Sequence, residues 1–112
     1  MGKILIISII AMHLMSCDKD DKLVCNVKDP ITELEWLSEI VSKSENDTTG
    51  NYTGTIYLET YKESQVIYID MALGSSGLAG HWFNCDGSKL NIEIENPPVA
   101  THKNILYTNI DN

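Results

Sequence analysis

The N-terminus constrains this chain before any other feature does. Lys3 brings a single basic side chain to the start of the apolar run Ile4-Leu5-Ile6-Ile7-Ser8-Ile9-Ile10-Ala11-Met12, and the charged cluster Asp18-Lys19-Asp20-Asp21 closes the segment abruptly. A membrane-spanning helix needs about 20 consecutive apolar residues, so a permanent transmembrane anchor is the weaker reading. A basic start followed by a short apolar core is the pattern of a secretory signal that is cut off on export. N-myristoylation is dismissed, because its motif wants Ser or Thr where Ile6 stands. Removing 16 of the 112 residues leaves 96, room for a single domain with one modest core.

Directly after the apolar run comes Leu14-Met15-Ser16-Cys17, which resembles the lipobox of bacterial lipoproteins: an aliphatic residue at minus three, a small one at minus one, then cysteine. Met15 is a less common residue at minus two. The resemblance implies a thioether-linked diacylglycerol on Cys17, cleavage just before it, and acylation of the new amine with a fatty acid such as palmitate. Together these supply the several chains that stable anchoring needs. The competing reading is an ordinary cut after Ser16 with a free Cys17. The next residues, Asp18-Lys19-Asp20-Asp21-Lys22, resemble the short acidic tags that send some Gram-negative lipoproteins to the outer face of the outer membrane. They imply an outer-membrane, lipid-anchored and surface-exposed protein, with the inner leaflet as the alternative.

Assigning Cys17 to lipid turns three cysteines into an even pair, Cys25 and Cys85. Outside the inner membrane thiols oxidise readily, so these two are expected as a disulfide closing a loop of about 60 residues and contributing about 2 to 4 kcal/mol. A reactive thiol or a metal ligand at either position lacks a CxxC partner or a neighbouring histidine, and no metal site is expected.

Charge narrows the partners. The precursor carries a formal −8 with 16 acidic side chains; without Lys3, seven lysines against those 16 give −9, and arginine is absent. Such a surface repels phosphate backbones, which excludes nucleic acid as a partner and leaves a soluble tethered protein or one that attracts cationic partners.

Three segments follow: a signal at 1–16, a lipidated cysteine and tether at 17–28, and one domain at 29–112. Asp29-Pro30 marks a helix start, with Asp29 placed to cap through its carboxylate and Pro30 at the first helical position. Ile31, Leu34, Leu37, Ile40 and Val41 share one side at helical spacing, so a single amphipathic helix is expected from Pro30 to Lys43, with Trp36 at the core margin. Residues 44–51 form a polar loop whose two glycosylation sequons carry no weight in a bacterial protein. The periodicity then changes to two. Thr55 to Thr60 and Gln65 to Met71 read as a hairpin, Ala79 to Cys85 as a third strand, Asp86-Gly87 as a tight turn, and Lys89 to Glu95 as its return strand with Leu90, Ile92 and Ile94 inward. Ile105 to Ile110 supplies a last, edge strand. The expected fold is α+β, one N-terminal amphipathic helix packed on a four- or five-stranded antiparallel sheet.

The order resembles small bacterial lipoproteins of unassigned activity that pair an Asp-Pro-x-x-x-Leu-x-Trp-Leu helix with a later Cys-Asp-Gly turn. The matching positions are Asp29, Pro30, Leu34, Trp36 and Leu37, then Cys85, Asp86 and Gly87. The resemblance implies the fold and no particular chemistry.

A search for catalysis assembles nothing. His81 and His102 lie in no nucleophile motif, and Gly74-Ser75-Ser76-Gly77-Leu78-Ala79-Gly80 lacks the lysine and following helix of a phosphate loop. Asp18 to Asp21 lacks the glycine and terminal glutamate of a calcium loop. Asp70 and the Glu93/Glu95 pair are carboxylates without an evident cleft. No cofactor is expected, and the favoured function is a non-enzymatic interaction module with an envelope or extracellular protein partner, engaged through exposed aromatics among Tyr57, Tyr61, Tyr68 and Trp82. One concrete version is a hydrolase inhibitor presenting Asp86 on its hairpin. The alternative is an envelope enzyme or small-ligand carrier with a site near the glycine-rich loop 74–80, where His81 and Trp82 are the candidate binding residues.

Overall fold

The structure, a computed structural model, describes residues 23–74 and 80–110. The signal segment, Cys17, the acidic tag and most of the glycine-rich break lie outside the described residues. Among the described residues two helical segments, α1 (Pro30–Glu33) and α2 (Glu35–Glu45), precede four strands, β1 (Thr55–Tyr61), β2 (Ser64–Asp70), β3 (His81–Phe83) and β4 (Asn104–Thr108). The strands form one antiparallel sheet in the order β3-β2-β1-β4, so the class is α+β with four strands.

The β1-β2 hairpin forms where period-two alternation is cleanest. Its two-residue turn puts Lys62 and Glu63 at φ of 51° and 69°, the twist that a tight hairpin requires. Register sets the faces: Ile56 opposes Ile69, and Leu58 opposes Ile67. These side chains meet Leu37 and Val41 of α2, together with Met71 and Cys25, in one core, in which Leu37, Ile56, Ile67 and Ile69 are wholly buried.

The helix is not continuous. Leu34 is extended (φ −91°, ψ 111°) and separates α1 from α2. This break turns the first segment relative to the second, so that Ile31, Leu34, Trp36 and Leu37 all reach the core, which one straight helix does not allow. Asp29 does not cap through its carboxylate; instead its N–H donates to Glu33 Oε2 at 2.9 Å, and its carbonyl accepts from Glu33 N at 2.8 Å. The far end of α2 is held by Asn109. Its Nδ2 donates to the Ser44 carbonyl (3.2 Å), Ser44 Oγ (2.7 Å) and the Tyr52 carbonyl (3.0 Å), and its Oδ1 accepts from Gly54 N (2.8 Å).

Cys25 and Cys85 are joined, with Cα atoms 5.4 Å apart, which ties the N-terminal segment to the turn after β3. The return strand expected at 89–95 is absent. After the Asp86-Gly87 turn the chain makes one bridge, Phe83 to Lys89, and one bond, Leu90 N to the Trp82 carbonyl, then leaves the edge. Ile92 is 42% and Ile94 93% exposed rather than inward. Capture by the buried Tyr61 phenol explains the departure: its oxygen accepts from Glu93 N (3.1 Å) and donates to the Asn96 carbonyl (2.7 Å), while Lys62 pairs with Glu93. Residues 89–103 therefore fold over part of the sheet face opposite the helix.

Candidate functional site

That second face has a covered half and an open half. In the covered half Glu59, 4% exposed, accepts Thr101 N on both oxygens (3.0 Å each), Thr101 Oγ1 (2.9 Å) and His102 N (2.9 Å). Burial alone pushes the Glu59 carboxyl up. The Thr101 and His102 N–H groups, the Thr101 hydroxyl and the charge of His102 outweigh it and hold the carboxyl below its ordinary value. These bonds place His102, whose φ is 59°, against the aromatic residues above it.

The open half is built by register. Trp82 on β3 opposes Tyr68 on β2, Tyr68 opposes Tyr57 on β1, and Tyr57 opposes Ile105 on β4, so one row crosses all four strands. Ring centroids are 4.5 Å apart for Tyr68 and Trp82 and 6.1 Å for Tyr57 and Tyr68. His102 meets Tyr57 edge-on at 4.8 Å and lies 5.9 Å from Tyr68. Cross-strand aromatic pairs of this kind contribute about 0.5 to 1.5 kcal/mol each beyond their buried area. The three rings are half-buried and Ile105 is 58% exposed, so the row meets solvent.

Asp70 lies on the same face two residues beyond Tyr68. Among the described residues its carboxylate makes no hydrogen bond or ion pair, and the Tyr57 and Tyr68 hydroxyls make no hydrogen bond either. Burial, then the charge of Asp70, raises the Tyr68 phenol above its ordinary value. Gly80 passes so close to Tyr68 Oη that a Cβ there would sit 2.6 Å from it.

Of the residues singled out from sequence, Trp82 belongs to the row and His81 does not. His81 is the adjacent strand residue, so it points to the helix side, with its Nε2 3.2 Å from the Ala72 carbonyl and its ring beside Phe83. The two therefore lie on opposite faces of β3. Asp86 belongs to a third place. Its carboxylate accepts Ser88 Oγ (2.6 Å) and Ser88 N (2.9 Å), bonds that lower its carboxyl and hold its own turn, beside a shallow groove with Trp36, Leu34 and Glu39. Trp36 Nε1 donates to the Cys85 carbonyl at 2.9 Å, and its ring packs under Gly87. Tyr61 is buried under residues 93–96 rather than open.

No group of three or more potential metal ligands occurs among the described residues, and no helix there is long and apolar enough to cross a membrane. His102 and Asp70 join the face without any motif around them; only strand register and the Glu59 bonds bring them to it. Comparison of the chain with protein-family models, curated proteins and solved structures finds no match.

Proposed function

We propose that this chain is a cell-envelope lipoprotein, anchored by lipid on Cys17 in the outer membrane, whose domain binds a protein partner without catalysis. The observation that carries the binding half is the row Trp82-Tyr68-Tyr57-Ile105, which crosses the sheet on the face α2 does not cover. A sheet covered on one side by a helix normally turns polar residues outward on the other, and a contiguous aromatic row there is the composition of an interface core. The anchor half rests on the Leu14-Met15-Ser16-Cys17 sequence. The disulfide suits an oxidising compartment.

Two measurements test the reading. Intact mass and membrane fractionation of the expressed precursor, beside Cys17→Ala, reads the anchor: a lipid mass increment and membrane association lost in the variant support it, and identical behaviour of the two sinks it. A photo-crosslinking residue placed at position 82, compared with one at position 39 on α2, reads the face. A discrete adduct at 82 alone supports it, and equal adducts at both positions refute it.

A further inference from the structure

We infer that the aromatic face receives lysine side chains of a basic protein partner, seating an alkylammonium group over the Tyr57-Tyr68-Trp82 row and beside Asp70. The inference rests on the reading of this face as the docking surface and adds the chemistry of what docks.

Three observations converge. Aromatic ring faces attract cations through their quadrupole, most strongly at Trp and Tyr, and here the rings of Tyr57, Tyr68 and Trp82 lie within 6.1 Å of their neighbours. Asp70, half-buried, has neither hydrogen bond nor ion pair among the described residues, and its carboxylate is open to solvent and so to a cationic partner. It sits on the same face as the row, two strand residues beyond Tyr68 and close enough for its charge to act on the Tyr68 phenol, and among the described residues the Tyr57 and Tyr68 hydroxyls make no hydrogen bond. An ammonium group has three N–H donors, enough for the carboxylate and for a hydroxyl oxygen at once. Charge complementarity agrees. The strand positions of this face carry carboxylates at Glu59 and Asp70 and no lysine, and the chain as a whole is at −8. Such a field draws basic proteins in and repels acidic ones.

The other prominent surface features carry less. The groove beside Trp36 is lined by carboxylates, but Asp86 there is already satisfied by Ser88. Asp47 is likewise consumed, by Thr49, Gly50, Tyr52 and Thr53 in its own loop. Asp70, by contrast, has no hydrogen bond or ion pair among the described residues and shares its face with the three-ring row.

The test titrates full-length, unlipidated protein (Cys17→Ala) with the peptide acetyl-Lys-Gly-Lys-Gly-Lys-amide and follows the indole N–H signals of its two tryptophans by NMR. Trp82 should shift saturably while Trp36 stays in place. The affinity should fall about tenfold, equivalent to roughly 1.4 kcal/mol, in Asp70→Asn and with the Nε-acetylated peptide. Circular dichroism of Asp70→Asn confirms that the fold persists, and Tyr68→Leu serves as the second variant. Equal binding of the acetylated peptide at Trp82 overturns the inference and leaves the face standing as a docking surface. Equal shifts at Trp36 or no shift at Trp82 each overturn it too. Whether the face is used at all is read separately by the crosslinks at positions 82 and 39.

Discussion

Glu59 supplies the most quantitative test of how the open face is framed. Its buried carboxylate gathers three donors from Thr101 and His102 and so holds the end of the 89–103 segment on the sheet. Glu59→Gln keeps the shape but offers one acceptor oxygen and an NH2 group, so the site retains at most part of the set and loses charge assistance. Hydrogen bonds to a charged group are worth about 1.5 to 3 kcal/mol each and neutral ones about half that, which puts the loss near 2 kcal/mol. Glu59→Ala, which leaves all three donors without a protein acceptor, should cost more, upwards of about 4 kcal/mol on the same scale.

The pH dependence separates this account from a packing defect. The folded carboxyl lies below its unfolded value of about 4.3, so the unfolded chain binds more protons in the interval between the two. Glu59 then stabilises fully above the unfolded value, and the contribution is lost as pH falls through the folded one. Urea unfolding of wild type and Glu59→Gln across pH 7 to pH 2 should show a gap near 2 kcal/mol at neutral pH that narrows at the acid end. Other carboxylates titrate equally in both proteins and cancel in the difference. A gap that stays constant with pH, or no gap at pH 7, refutes the reasoning.

Reduction of the Cys25–Cys85 bond, or Cys85→Ser, should lower stability by about 2 to 4 kcal/mol, read as a drop in melting temperature with and without dithiothreitol. Asn109→Ala removes four hydrogen bonds that join α2, the loop before β1 and the C-terminal end, and should cost about 2 to 4 kcal/mol by chemical denaturation. Gly87 holds φ +91°, and a Cβ there would lie 2.7 Å from Trp36 Cγ, so Gly87→Ala should displace the indole, shift its fluorescence and cost upwards of about 1 kcal/mol. Glu63 sits at φ 69° in a two-residue hairpin turn, so Glu63→Gly should be neutral or stabilise by up to about 1 kcal/mol, against the usual direction for a strand-turn substitution.

What could be read in advance divides along a physical line. Local periodicity sufficed for the β1-β2 hairpin, whose β-branched and aromatic alternation leaves no other period to choose, and for β4 at the edge. Counting sufficed for the disulfide once Cys17 was set aside. The helix break at Leu34 was not legible, since residues 31, 34, 37 and 41 fit one continuous helix and only the tertiary demand to seat Ile31 and Trp36 together breaks it. The segment 89–95 misleads for a related reason. Its alternation matches a strand, but Tyr61 and Glu59 compete for its backbone and for Thr101 from 32 to 43 residues away, and those bonds win. The face itself needed register. Tyr57, Tyr68 and Trp82 were identifiable as candidate contact residues, but their alignment, and the arrival of His102 and Asp70 beside them, follow from strand pairing that a sequence pattern does not specify. His81 and Trp82, adjacent on one strand, point to opposite faces.

The claim on which the account turns is that the Trp82 row is covered in the cell, and the two tryptophans allow it to be measured internally. Hydroxyl-radical footprinting of intact cells and of the purified protein, followed by mass spectrometry of Trp82 and Trp36 oxidation, gives the ratio directly. The account predicts that Trp82 oxidation, relative to Trp36, falls severalfold in cells. An unchanged ratio would mean that the face stands open where the protein works, and would contradict it.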